Sequence, residues 1–153
     1  MSDDDTSLIA RLVAQEVPEI GAGRVAIKAI ARRPGYRSKI ALQSHDPSVD
    51  CIAACVGLRG FRIKNVVDAI GGERIDLIRW DEAPERLIVN ALQPAVIEKV
   101  ILHAAEHRAV VVVKPDQLSL ALGRRGLNRE LASQLSRWQI EVEETQDRPP
   151  LDK

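Results

Sequence analysis

The sequence has few aromatic side chains, which make up 3% of its 153 residues: two Trp, one Tyr and one Phe. RRM and OB-fold domains stack bases on exposed aromatic side chains, so this composition counts against both classes. Tyr36 and Phe61 are also not interleaved with the face of a predicted strand. Neither G-x-G-x-x-G nor G-x-x-x-x-G-K-[ST] occurs, which argues against the dinucleotide-binding and P-loop classes.

Cysteine is scarce as well, with Cys51 and Cys55 as the two examples. Their spacing places both on one face of a helix, but no second Cys pair or nearby His pair completes a metal site. Of the three His, His103 and His107 lie far along the chain. We therefore expect no metal and no cofactor, and interpret both cysteines as small buried hydrophobic residues.

The chain also lacks a long apolar run and a recognisable catalytic set. No stretch approaches the ~18 apolar residues of a membrane-spanning helix, and the start is acidic where a signal peptide is basic. No Ser/His/Asp set and no carboxylate pair in a recognisable frame is present. We expect a cytoplasmic protein that is not an enzyme and does not associate with membranes.

Charge is balanced overall but is distributed unevenly. The 22 basic and 22 acidic side chains give a net charge of zero. Between Arg24 and Lys64, however, nine residues are basic and only Asp46 and Asp50 are acidic, a local balance of +7. Such segregation is compatible with a nucleic-acid footprint on a neutral protein, and equally with an ordinary solvated pair of strands.

The hydrophobic pattern predicts one order of elements twice. Alternation and helical spacing predict helix, strand, strand, short helix, helix and strand in each half. The predicted elements of the first half are helices 6–16, 46–56 and 61–70 and strands 25–32, 39–43 and 74–80. Those of the second half are helices 84–92, 115–122 and 127–135 and strands 96–103, 108–114 and 138–143.

Each half carries a G-x-x-G sequence between its last two helices. The first is Gly57-Leu58-Arg59-Gly60 and the second is Gly123-Arg124-Arg125-Gly126, 66 residues later. A repeat of this length indicates two copies of one module. We predict an α+β protein with a first domain at 1–82, a second at 83–145 and a disordered tail at 146–153. Cores of about sixty residues are marginal alone, so we expect the two domains to pack as one rigid unit.

A single G-x-x-G is a weak signal, because glycine pairs also form plain turns between helices. Here it occurs twice in the same setting, with arginine in each variable pair. Glycine allows a sugar-phosphate backbone to approach the main chain, and the helix that follows directs N–H groups towards phosphate. These features favour the KH arrangement, which holds about four nucleotides of single-stranded nucleic acid per module.

The residues themselves resemble the tandem KH region of the NusA family, with the type II KH order α-β-β-α-α-β in each module. The resemblance covers almost the whole chain, from about residue 8 to 142. Similarity to the first KH module is carried by residues 16–20, 27–35, 46–47, 54–60 (ACVGLRG) and 75–76. Similarity to the second is carried by residues 91–95, 116–123 (DQLSLALG) and 126–128.

The resemblance implies one extended surface for single-stranded RNA and a role in transcription elongation, termination or antitermination. The RNA-binding residues that it implies are Gly57, Leu58, Arg59, Gly60, Arg62, Lys64, Gly123, Arg124, Arg125, Gly126, Asn128 and Arg129. Relatives usually carry a lysine and then an acidic residue in the second loop, so this copy is more basic.

Members of the family carry a polymerase-docking domain and an OB-type domain ahead of the KH pair, and neither is found in these 153 residues. Contact with RNA polymerase or other elongation factors is therefore an open expectation, and we expect a monomer. Two alternatives remain: a KH pair in ribosome assembly or RNA decay without polymerase contact, and a protein-interaction module whose KH folds no longer bind RNA.

Overall fold

The chain forms two compact units, residues 1–83 and 84–153, as seen in a computed structural model that describes residues 3–146. The helices of the first unit are α1 (Asp3–Glu16), α2 (Pro18–Gly21), α3 (Cys51–Val56) and α4 (Phe61–Ala69). Its strands are β1 (Val25–Arg33), β2 (Arg37–Ser44) and β3 (Arg74–Arg79). The predicted tail at 146–153 lies outside the described residues except for Gln146.

Over its described residues, the second unit repeats this order without a helix equivalent to α2. Its helices are α5 (Pro84–Ala91), α6 (Leu118–Leu122) and α7 (Leu127–Ser136), and its strands are β4 (Lys99–His103), β5 (Arg108–Val113) and β6 (Gln139–Glu144). The predicted α+β class and the α-β-β-α-α-β order of both modules are confirmed. That the two modules pack as one rigid unit stays a prediction.

Each unit contains a three-stranded sheet of the same topology. In the first, β2 lies between an antiparallel β1 and a parallel β3; in the second, β5 lies between an antiparallel β4 and a parallel β6. Most residues of the two central strands are buried, including five of the six in β5, which agrees with the continuous apolar run of that strand.

Helices cover one face of the first sheet and form its core. The cluster joins Ile9 and Val13 of α1 to Ile40 and Leu42 of β2 and to Val66 of α4, all nearly inaccessible to solvent. Cys51 and Cys55 of α3 belong to the same cluster. Their interpretation as buried hydrophobic residues is therefore confirmed.

A buried carboxylate links the first hairpin to the third strand. Glu73 accepts hydrogen bonds from the Arg32 guanidinium at 3.0 Å, from the Gly35 N–H at 2.9 Å and from the Ser38 hydroxyl. Burial alone would raise the pKa of Glu73, but the bonds from Arg32, Ser38 and Gly35 outweigh it and hold that pKa below its usual value. The Arg32 side chain also donates to the Asp5 carbonyl at 2.9 Å, which fixes the start of α1 to the sheet.

The start of α3 differs from the prediction. Asp46-Pro47 was predicted to begin this helix, but the carboxylate of Asp46 accepts from the N–H and hydroxyl of Ser48 and so closes a turn. The N-cap is Asp50, whose carboxylate accepts from the Ile52 and Ala53 N–H groups at 2.9 and 3.2 Å. Both aspartates suit a cap, and the one adjacent to the apolar run caps the helix.

One other boundary moved, whereas the predicted end of the first helix at Glu16 is confirmed. Pro18 then opens the short helix α2, where a proline at the first position costs no hydrogen bond. The strand predicted from Val96 begins at Lys99, because the Val96 N–H donates to the Gln117 side chain and not to a neighbouring strand.

Candidate nucleic-acid interface

The two G-x-x-G loops adopt the same backbone conformation. The first glycine has φ/ψ of 77°/175° at Gly57 and 75°/177° at Gly123. The third residue is left-handed in both, at 55°/25° for Arg59 and 56°/28° for Arg125. A match this close, at an offset of 66 residues, identifies the loops as equivalent sites in two copies of one module.

The first glycine of each loop is required by the fold. Its backbone lies in a region that is essentially restricted to glycine. A Cβ at Gly57 would lie 2.5 Å from Cγ of Arg62, and one at Gly123 would lie 2.7 Å from the backbone N of Asn128. The close approach that these glycines permit is therefore between the loop and the next helix.

Arg62 and Asn128 occupy equivalent positions, five residues after that glycine, and both bond to the helix before the loop. Arg62 Nη1 donates to the Ala54 carbonyl at 2.7 Å. Asn128 Nδ2 donates to the carbonyls of Leu120 at 3.2 Å and of Ala121 at 3.1 Å. These bonds satisfy carbonyl groups at the end of the short helix, which would otherwise lack partners.

The Asn128 side chain is therefore held within the fold, and RNA contact at this residue stays a prediction. Asn128 is fully buried, and its amide also donates to the Leu92 carbonyl at 3.1 Å. Arg62 is half-buried and pairs with Glu19 of α2 at 2.9 Å. A backbone hydrogen bond and the Arg62 guanidinium hold the pKa of Glu19 below its usual value.

Three arginines of the loops are directed into solvent. Arg59, Arg124 and Arg125 are exposed, and within residues 3–146 none of them donates a hydrogen bond or joins an ion pair. Arg59 and Arg125 are also held in the left-handed conformation, which costs a residue with a Cβ about 1–2 kcal/mol. Strained backbone of this kind is concentrated at functional loops.

The two remaining predicted cations differ in their availability. Lys64 is exposed and pairs with Asp68 one turn later at 2.8 Å, a surface ion pair that contributes little to stability. Arg129 is half-buried, and its Nη1 donates to the Ile140 carbonyl at 3.1 Å. The exposed cations of the predicted set are therefore Arg59, Lys64, Arg124 and Arg125.

Each loop leads directly into a helix without a side-chain cap. Gly60 precedes the nine residues of α4 and Gly126 precedes the ten of α7, and neither helix has a side-chain hydrogen bond at its N-cap. The N-terminal end of a helix carries a partial positive charge and unpaired N–H groups. Loop arginines and helix ends together form two positively charged sites suited to phosphate.

Sequence reasoning missed two residues beside the first loop. Glu19 pairs with Arg62 from 43 residues away, and no local pattern predicts that pair. Phe61, the first residue of α4, is 57% exposed, although phenylalanine is normally buried. Its position directly after the second glycine was the available signal.

The remaining candidates for chemistry are structural. Burial raises the pKa of the Cys51 thiol and raises that of Cys55 to about 12, so neither is a reactive thiolate. No group of three or more His, Cys, Asp or Glu side chains within residues 3–146 is arranged to hold a metal ion. No helix in the same residues has the length and apolar character needed to cross a bilayer.

Fold and loops together define a pair of KH domains. Family profiles agree: the NusA-like first KH domain matches residues 3–80 and the NusA-like second KH domain matches residues 84–149. The chain therefore belongs to the NusA-like KH family.

The chain is also similar to part of several curated proteins. Three named transcription termination/antitermination protein NusA are 44% identical to the chain in Halalkalibacterium halodurans, 48% in Thermus thermophilus and 41% in Bacillus subtilis. The matches cover 88%, 91% and 92% of this chain but 35%, 36% and 38% of the relatives, so the chain spans just over a third of their length.

A solved structure has the same fold. The crystal structure of APE1850 matches with a TM-score of 0.61 over 89% of this chain and 96% of that one. At 19% sequence identity, this likeness concerns the fold alone.

Proposed function

We propose that the chain binds single-stranded RNA through its two G-x-x-G loops. The observation that carries the proposal is the repetition of one strained loop, with an exposed arginine at its third residue and a helix N-terminus directly behind it. Glycine at the third residue would form the same turn without the cost of the left-handed conformation, so the turn alone does not account for arginine there. Two such sites suit two phosphates of one strand, with about four nucleotides held per module.

The proposal requires single strands because of how KH modules contact bases. Phosphate contacts at the loop position the strand, while the bases must leave their stack to meet the surface beside it. In a duplex the bases are paired and cannot do so. The exposed Leu58 and Arg59 of the first loop and Arg124 and Arg125 of the second lie where such a strand would approach.

We further infer a role in transcription, because the relatives that match nearly the whole chain are named for termination and antitermination. The role is one of binding and not of catalysis, and its place is the cytoplasm, where nascent RNA is found. RNA polymerase or another elongation factor is the partner to seek. Retention of core polymerase on the immobilised chain, compared with a tag alone, tests this part separately.

Reversing the loop charge tests RNA binding. Changing Leu58 and Arg59 to Asp places two carboxylates at the first loop, and the same change at Arg124 and Arg125 does so at the second. Because all four side chains are exposed, the melting temperature should change little while RNA affinity falls for each double variant. Retained affinity in both would show that the loops are only structural turns.

A further inference from the structure

The first loop presents apolar side chains to solvent beside its charges. Leu58 is 81% exposed and Phe61 is 57% exposed, on either side of Arg59 and Gly60. The chain has a single Phe, and this module leaves it out of the core. The exposed leucine and the exposed ring thus lie three residues apart, one in the loop and one at the start of α4.

Helix geometry places Phe61 next to a cation. Arg62 lies against Gly57 and Ile63 packs on the core, so both are directed inwards. Phe61 and Lys64, three residues apart, share the outward face of α4 over its first turn. Their surface therefore combines a ring, a cation and the positive end of a helix, which suits a polyanion that carries flat rings.

The second module lacks this combination. Its loop and helix conformations match those of the first, but Leu127 and Glu130 stand where Phe61 and Lys64 do. Its own positive charge lies in the loop, at Arg124 and Arg125. The two modules thus hold the same backbone geometry and different contact chemistry.

We propose that Phe61 stacks on a nucleobase of the strand held at the first loop, a contact that the second module, with Leu127 at the equivalent position, does not make. The proposal rests on the proposed function, since it needs RNA at the loop. The neighbouring cations and helix end favour RNA over a protein partner for this ring, because they attract phosphate.

A cycle of protein and RNA changes tests the stack. A 12-nucleotide single strand is compared with copies that each lack one base, against wild type, Phe61→Ala and Phe61→Tyr. Stacking predicts that Phe61→Ala lowers affinity for the intact strand about 5-fold to 100-fold. Phe61→Tyr, which keeps an aromatic ring, should bind the strand as tightly as wild type. The loss should vanish for the copy without the stacked base, because the two changes remove the same contact.

Two controls separate stacking from charge and from general surface effects. Phe61→Ala should leave the salt dependence of binding unchanged. Lys64→Gln should make the slope of log affinity against log salt less steep by about 0.7. Tyr36, another exposed ring, lies in the β1–β2 turn, so Tyr36→Leu should bind as wild type. Equal melting temperatures for the variants confirm that the fold is retained.

The outcomes distinguish stacking by Phe61 from RNA binding through the loops. If wild type binds RNA and the loop-charge variants do not, but Phe61→Ala binds as wild type, the stack is refuted and the ring is left to a protein contact. A loss that persists unchanged with every single-base deletion also refutes it. If wild type binds no RNA, both proposals are refuted together.

Discussion

Arg124 and Arg125 allow strain and charge to be separated within one loop. Replacing either by glycine removes one exposed cation, so both variants should lose similar RNA affinity. The slope of log affinity against log salt concentration should become less steep by about 0.7 in each. Their backbones differ, since Arg125 is left-handed and Arg124 is not. The two variants should therefore change stability in opposite directions.

The expected magnitudes follow from the backbone. Glycine in place of Arg125 relieves about 1–2 kcal/mol of strain in the folded state. It also increases the conformational entropy of the unfolded chain, which lowers the free energy of unfolding by about 0.4–1 kcal/mol. At the middle of both ranges the net gain is about 0.8 kcal/mol. Glycine in place of Arg124 incurs only the loss, so the two variants should differ by about 1–2 kcal/mol, which is roughly 4–16 °C in melting temperature for a unit of this size.

Denaturant unfolding followed by tryptophan fluorescence measures the difference. Trp138 is buried in the second unit, so a Trp80→Phe background leaves it as the reporter of that unit. Equal destabilisation by Arg124→Gly and Arg125→Gly would refute the strain argument. Unchanged RNA affinity in both would refute the phosphate-binding role of the loop.

Two further predictions concern the fold around the site. Gly123→Ala should destabilise by several kcal/mol, about 2–5, because its Cβ meets the backbone of Asn128. A Cβ at Gly126 meets only the end of the Arg129 side chain, at 4.0 Å, so Gly126→Ala should cost about 1–2 kcal/mol; equal losses in denaturant unfolding would contradict this. Burial lowers the pKa of Lys39 to about 8, while Asp76, which accepts from it at 2.8 Å, opposes that shift. Asp76→Asn should cost about 3–5 kcal/mol near pH 7. The deficit should shrink as pH rises to about 8 and then level off, because folded Lys39 loses its proton at a lower pH without Asp76 than beside it; a deficit independent of pH would refute the role of Lys39.

Periodicity was sufficient to predict the order of elements, because each strand and each amphipathic helix has its own local pattern. It failed where two residues competed for one role, as Asp46 and Asp50 did for the cap of α3. The choice depended on which aspartate lay next to the helix once the Ser48 turn had formed. Such a choice is settled by local geometry and not by residue type.

The sequence indicates where the two loops lie, but only some of the contacts around them. The loops and their arginines follow from the motif, but the motif does not reveal which side chains point inwards after the turn. Arg62 and Asn128 differ in residue type but lie at the same position of their modules. In each module the turn brings the residue five positions after the first glycine against that glycine. Phe61 was overlooked because it lies outside the four-residue motif.

The most direct test compares wild-type binding to one RNA sequence of 8–12 nucleotides as a single strand and as a duplex, over a range of salt concentrations. Single strands should bind more tightly, and log affinity against log salt should have a slope of about −3, since four exposed cations are available at about 0.7 each. Equal affinity for the duplex, or a slope near zero, would contradict single-strand recognition by the two loops.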